Sequence, residues 1–113
     1  MTFIDTHTHI YDPAFDLDRE AAVQRALDAG VGMMLMPNVD ASTIQPMLET
    51  HELFPDCTRM MMGLQPEEVK EDYKSVLALM ERELDRNIYI GVGEIGLDFY
   101  WDATFEHEQL DAF

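Results

Sequence analysis

Strand-like and helix-like segments alternate along this chain at a regular spacing. Apolar, strand-like runs begin at Phe3, Val31, Thr58 and Ile88, about every 27 to 30 residues, and a helix-like pattern follows each one. This rhythm is typical of βα units that form a parallel sheet. The units share a pattern but not a sequence, so they are not solenoid repeats. The sequence therefore predicts an α/β fold with about four βα units.

The first two helix-like patterns carry start and stop signals. One covers residues 17–29, with Asp16 or Asp18 as its cap. The next starts at Asp40 or Ser42. A proline follows that start closely, which is acceptable only within the first turn of a helix. Both segments are therefore predicted to be helices.

The third helix has the clearest amphipathic pattern of the chain. Arg82 and Arg86 suit its C-terminal end, where positive charge favours the helix dipole. After a loop, Thr104 is predicted to cap a fourth helix, and the sequence ends inside that helix at Phe113. The apolar stripe of the third helix consists of Val69, Tyr73, Val76, Leu77, Met80 and Leu84.

Composition excludes several classes of protein. The chain has 113 residues, enough for one domain, and no apolar run approaches the roughly 18 residues that cross a bilayer. The formal net charge of −16 opposes nonspecific contact with DNA, RNA or anionic membranes, which argues against a plain nucleic-acid-binding module. The single cysteine, Cys57, excludes an internal disulfide framework and suggests a cytoplasmic protein with a core thiol.

The segment from Ile88 to Val92 is apolar and rich in β-branched residues, which predicts a strand buried on both faces. Glu94 follows it, between Gly93 and Gly96. Glycines here are expected to let the backbone pass close to another part of the molecule. A glutamate that merely opens an exposed loop is the simpler alternative for Glu94.

Polar residues follow each predicted strand, at the ends where functional groups collect in parallel βα folds. His7 and His9 follow the first strand, Asn38 the second, Gln65 the third and Glu94 the fourth. Side chains two apart on an extended segment point the same way, so the two histidines can converge on one ion. Two imidazoles and a carboxylate suit zinc, manganese, iron or nickel, and magnesium less readily. We therefore predict a metal site that consists of His7, His9 and Glu94.

Other candidate residues have two interpretations each. Asp5 either orients a histidine ligand or forms an ordinary turn. Tyr100 and Trp101 either stack on a base or sugar at the mouth of the site or cover the end of the sheet. His51 and His107 are predicted to be structural.

Three motifs together resemble the TatD family of metal-dependent hydrolases. They are Asp5-Thr6-His7-Thr8-His9, Gly63-Leu64-Gln65-Pro66 and Gly91-Val92-Gly93-Glu94-Ile95-Gly96-Leu97-Asp98. The resemblance covers essentially the whole chain. It implies the N-terminal half of a TIM-type (β/α)8 barrel with one or two divalent ions (zinc, magnesium or manganese), acting as a deoxyribonuclease on phosphodiester bonds of DNA. His7 and His9 match the first two metal ligands, Glu94 matches the carboxylate that can bridge two ions, and Gln65 and Asp98 are assigned to substrate binding.

Two departures from the family pattern matter. The family usually has a histidine at the position of Gln65, and glutamine keeps a hydrogen bond but loses proton transfer. A barrel of this kind takes roughly 250 residues, so residues 1–113 are expected to be a partial domain that ends within the helix after strand four. The family's remaining histidine ligands and its catalytic aspartate come from later strands, which leaves the catalytic residue of this chain unknown.

The partial domain leads to two alternatives besides the hydrolase. An open parallel sheet exposes two edges, so two copies could associate as a half-barrel dimer. A noncatalytic metal-binding α/β domain is the other alternative. In the leading interpretation, DNA is the partner of the full-length form, and this chain alone is expected to turn over little or nothing.

Overall fold

The computed structural model describes all 113 residues and contains one parallel sheet of four strands, which pair in the order in which they occur along the chain. A helix follows each strand, as the spacing of the apolar runs predicts. The elements in chain order are β1 (Phe3–Asp5), α1 (Arg19–Asp28), β2 (Val31–Pro37), α2 (Ile44–Leu53), β3 (Thr58–Met62), α3 (Tyr73–Leu84), β4 (Gly91–Val92) and α4 (Glu106–Ala112). None of these helices is both long and apolar enough to cross a membrane.

Parallel pairing directs the C-terminal ends of all four strands toward the same side of the molecule. Asp5 pairs with Met34, and Met62 pairs with Val92. The segments that follow the strands therefore meet on the same side of the molecule, which is where a parallel sheet collects its functional groups.

The core lies on the two central strands and their helices. Met36 and Met62 from the sheet and Met47 from α2 are fully buried, and Met60 is almost so. Flexible thioether side chains fill irregular space well. Most of the methionines are therefore core filler, as predicted, and not a binding surface.

The fourth strand is shorter than the predicted Ile88–Val92, since β4 covers only Gly91–Val92, and this segment is also more exposed than predicted. Ile90 and Val92 are 55% and 58% exposed, so the expected burial on both faces is wrong for this chain. The reason is that β4 pairs with β3 alone and lies at an edge of the sheet. The opposite edge is similar, since Ile4 on β1 is 60% exposed. The predicted half-barrel dimer is based on these open edges. Self-association of the chain stays a prediction.

Two details of the predicted helices are also wrong. Val69 is buried but precedes α3, because it ends a separate 3₁₀ turn at Pro66–Glu68. Thr104 does not cap α4, which has Phe105 at its N-cap position. The hydroxyl of Thr104 instead donates a hydrogen bond to the side chain of Asp102. The proline of α2, Pro46, does lie in the first turn, as required.

Candidate metal centre

The two histidines are positioned by the turn that leaves β1. The backbone N–H of His7 donates to a carboxylate oxygen of Asp5 over 3.1 Å, so Asp5 forms a turn and does not contact an imidazole. Beyond it, the Thr8 N–H donates to the Leu35 carbonyl over 3.0 Å. This bond attaches the segment after β1 to β2. His7 and His9 are the residues immediately before and after Thr8 in that segment.

Glu94 is positioned by a close contact between two loops. A Cβ atom on Gly63 would lie 2.9 Å from the Gly93 carbonyl carbon and 2.8 Å from a methyl carbon of Ile95. Gly63, at the end of β3, is therefore the glycine that permits the close approach, whereas a Cβ on Gly93 would meet only ordinary contacts. Gly96 is needed for a different reason, since its φ of +147° disfavours other residues.

Curvature of the sheet brings the two outer strands together at the rim. In a flat sheet β1 and β4 would be about 14 Å apart, because neighbouring strands are about 4.8 Å apart. Here His7 Nε2 lies 3.1 Å and His9 Nε2 lies 3.6 Å from the same carboxylate oxygen of Glu94. The two imidazole nitrogens are 3.0 Å apart. The predicted convergence of the three side chains is therefore present.

The donor set fits a divalent cation. One ligand atom from each of His7, His9 and Glu94 lies within 4.8 Å of the others. Two ligands each about 2.0–2.1 Å from one ion are about 2.9 to 3.4 Å apart, depending on geometry, which is close to the observed spacings. Imidazole and carboxylate donors suit zinc and manganese. The atoms are thus near enough to share one ion with little rearrangement.

Burial favours the neutral form of His9 that a metal requires. It lowers the pKa of this imidazole, and the neighbouring His7 lowers it further, while Glu94 opposes the change. On the other side of the ring, His9 Nδ1 lies 2.8 Å from the hydroxyl of Tyr11. That hydroxyl donates to the Pro37 carbonyl over 2.6 Å. His9 is therefore held at both nitrogens.

The loop after His9 is held in place by Arg19 from α1. Its guanidinium donates to the backbone carbonyls of Ile10, Tyr11 and Asp12 at 2.9–3.0 Å. Sequence reasoning missed both Arg19 and Tyr11. The two-residue step that links His7 to His9 also leads to Tyr11, so that signal was present, whereas nothing local indicates Arg19.

The three side chains lie in an open cleft of about 730 Å³. Three further acidic residues, Asp12, Glu67 and Glu68, line this cleft, and no lysine or arginine does. A cleft of this charge repels a phosphate unless a cation is added. The electrostatics of the cleft thus agree with the donor set in favouring a bound metal.

A family model described as TatD related DNase matches residues 4–113. The chain belongs to this family.

Relatives with curated names agree with the TatD family assignment. The chain is 36% identical over 110 residues to "Uncharacterized metal-dependent hydrolase YjjV" of Escherichia coli K12, covering 95% of this chain and 42% of that protein. It is 27% identical over 109 residues to "3'-5' ssDNA/RNA exonuclease TatD" of Pectobacterium carotovorum, covering 96% of this chain and 42% of that protein. This chain therefore spans less than half the length of the curated relatives that it matches.

A solved structure supports the fold of this TatD family member. The crystal structure of the TatD homologue YjjV from Escherichia coli K12 superposes with a TM-score of 0.85 and 34% sequence identity. The match covers 97% of this chain and 43% of that one. The four βα units described here are thus the N-terminal half of a TIM-type barrel, as predicted.

The two predicted substrate-binding residues lie in different surroundings. Gln65 lines the cleft, and its side-chain oxygen is buried with no hydrogen-bond partner. The backbone of Asp98 is bound instead to α4, since the buried Gln109 amide donates to its carbonyl and accepts from its N–H, both at 2.8 Å. Desolvation and the nearby Asp98 raise the pKa of Glu67, a residue of the cleft. Both substrate assignments stay predictions.

The remaining polar candidates are structural or peripheral. Asn38 is fully buried and accepts a hydrogen bond from the Gly63 N–H over 2.7 Å, so it joins the ends of β2 and β3. His51 Nδ1 lies 2.8 Å from the Thr58 hydroxyl, as a structural histidine would. Cys57 is buried, and burial raises the pKa of its thiol.

The aromatic pair after Glu94 is not packed on the sheet. Tyr100 and Trp101 contact each other edge to face at 4.7 Å, and they are 82% and 76% exposed. Covering the end of the sheet is therefore wrong for this pair. Stacking on a base or sugar stays a prediction, since aromatic side chains in solvent can bind such groups.

Proposed function

We propose that this chain supplies the His7, His9 and Glu94 part of a divalent-metal centre in a TatD-type hydrolase that cleaves phosphodiester bonds in DNA. The observation that carries this proposal is the convergence of three ligand atoms within 4.8 Å. The family assignment supports the reaction class, and one relative, the TatD exonuclease of Pectobacterium carotovorum, is named for action on single-stranded DNA and RNA.

One or two bound divalent ions would supply a water of lowered pKa and neutralise charge on the phosphate. His7 and His9 would hold an ion through Nε2, and Glu94 would add the negative ligand. Gln65, in the wall of the cleft, would contact substrate. Asp98 would do so from the loop after Glu94. The resemblance assigns the general base to later strands, so we expect little or no turnover from residues 1–113 alone.

Calorimetric titration with Mn²⁺ or Zn²⁺ tests the metal centre directly. The wild-type chain should bind the ion, and the double variant His7→Ala/His9→Ala should lose that binding. The matched control is His51→Ala/His107→Ala, which removes the other two histidines and should bind as wild type does. Equal binding by the His7/His9 variant and the wild type would remove the proposal.

The choice of substrate needs a separate test. A fluorescent single-stranded DNA oligonucleotide should not bind the metal-free chain, because the cleft contains acidic residues and no lysine or arginine. Added Mn²⁺ should produce binding that EDTA reverses and that the His7→Ala/His9→Ala variant lacks. Metal binding without any effect on DNA binding would instead favour the noncatalytic metal-binding alternative.

A further inference from the structure

Tyr11 connects His9 to the backbone at the end of β2. The tyrosine is only 2% exposed. Its hydroxyl oxygen lies 2.6 Å from the Pro37 carbonyl oxygen and 2.8 Å from His9 Nδ1. Neither of these contacts involves the cleft side of the imidazole, where Nε2 faces Glu94.

The number of hydrogens decides the direction of both bonds. A carbonyl oxygen can only accept, so the single hydroxyl hydrogen of Tyr11 must lie on the bond to Pro37. The phenol keeps this hydrogen at neutral pH, as tyrosine side chains ordinarily do. The hydroxyl oxygen must then accept from His9 Nδ1, which therefore carries the proton. In a neutral imidazole this leaves Nε2 with its lone pair free.

His7 has the opposite arrangement. Its Nε2 lies 3.0 Å from His9 Nε2 and 3.1 Å from the Glu94 carboxylate, and both of these atoms act as acceptors. The hydrogen in this group therefore resides on His7 Nε2. The Nδ1 of His7 has no hydrogen-bond partner, and the side chain is 50% exposed. Only one of the two histidines is prepared to bind an ion.

We infer that Tyr11 is a positioning residue that holds His9 in the tautomer whose Nε2 can bind a metal. His9 is then the preformed ligand, whereas the hydrogen of His7 must move from Nε2 to Nδ1 before the same nitrogen can bind an ion. This inference rests on the proposed metal centre. Removal of a group that is hydrogen-bonded to the second nitrogen of a histidine ligand typically lowers metal affinity about 10- to 100-fold.

The tautomers can be measured before any metal is added. Two-dimensional ¹H–¹⁵N NMR of the imidazoles, above about pH 8 where histidine is neutral, should show the proton of His9 on Nδ1 and that of His7 on Nε2. In Tyr11→Phe, which removes one oxygen and keeps the ring, the Nδ1–H signature of His9 should be lost. Tyr89→Phe is the matched control, because the Tyr89 hydroxyl binds Glu83 away from the cleft.

Metal titration of the same proteins completes the test. Tyr11→Phe should bind Mn²⁺ or Zn²⁺ about 10- to 100-fold more weakly than wild type, and Tyr89→Phe should match wild type. A wild-type His9 that carries its proton on Nε2 overturns the inference, even if the variant fails to fold. So does a Tyr11→Phe protein that loses stability but keeps the wild-type tautomer and affinity. If the wild-type chain shows the expected tautomers but binds no metal, the proposed function is refuted. The role of Tyr11 in setting the tautomer of His9 would still stand in that case.

Discussion

The central and outer strands of the sheet differ in what they contribute. In the centre, Met36 on β2 and Met60 on β3 are at most 2% exposed. At the edges, Ile4 on β1 and Val92 on β4 are more than half exposed. Yet the three candidate ligands follow the outer strands, since His7 and His9 come after β1 and Glu94 comes after β4.

The difference shows that folding energy and candidate chemistry come from different parts of this sheet. Burial of apolar surface stabilises the centre. The outer strands gain less from burial, and the side chains that follow them meet across the rim of the curved sheet. A bound cation would connect one edge to the other through His7, His9 and Glu94.

The largest effect should come from a cavity in the centre. Met36→Ala should lower the free energy of unfolding by about 2–5 kcal/mol, because it removes fully buried atoms and leaves a void. Val92→Ala, at the exposed edge, should cost less than about 1 kcal/mol. Urea denaturation monitored by circular dichroism measures both. Equal losses would mean that the edge is as well packed as the centre.

A metal should stabilise the chain by joining the edges. An ion at 100 times its dissociation constant should raise the free energy of unfolding by about 2.7 kcal/mol, if it binds the folded form alone. Glu94→Gln should reduce this gain strongly, because an amide is a weaker ligand than a carboxylate. Glu106→Gln, on α4 and outside the cleft, is the control with the same chemical change. Thermal melts with and without Mn²⁺ decide the matter, and a gain of equal size in both variants would place the ion elsewhere.

A smaller effect is expected where the third and fourth strands approach at the rim. Gly63→Ala should cost about 1–3 kcal/mol, because the new methyl group would overlap the Gly93 backbone and Ile95. Gly91→Ala is the matched change, since its Cβ would meet only Met61 at 3.9 Å or more. Denaturation of the two variants should show the larger loss for Gly63→Ala. Metal titration should also show weaker binding for that variant, because Glu94 would be displaced.

The smallest expected effect is a pH dependence that arises at His51, which contacts Thr58 at the start of β3. Burial lowers the pKa of His51, and Arg59 lowers it further, so the folded chain takes up this proton at lower pH than the unfolded chain does. Below about pH 6.5, the usual pKa of histidine, the unfolded chain is therefore favoured. His51→Gln, which cannot titrate, should lose less stability than wild type between about pH 7 and pH 5. Parallel curves for the two proteins would contradict this assignment.

Local patterns were sufficient to predict most of the fold. The alternation of strand and helix signals predicts the four βα units, because the apolar spacing of each segment depends only on nearby residues. The same reasoning predicts β2 and β3 within a residue and places Glu94, His7 and His9 at strand ends. Parallel strands put those ends on one rim, so the convergence of the three side chains could also be expected.

The tertiary structure decided everything that depends on residues distant in the chain. Whether Ile88–Val92 is buried depends on what pairs with its free edge, which its own composition does not contain. The Gly63–Gly93 contact, the fixing of Asp98 by Gln109 and the bond from Tyr11 to Pro37 each join segments 11 to 30 residues apart. A sequence pattern predicts which side of its own segment a residue occupies. Only the packing of one segment against another determines which hydrogen goes to which nitrogen, and so which of two adjacent histidines is ready to bind an ion.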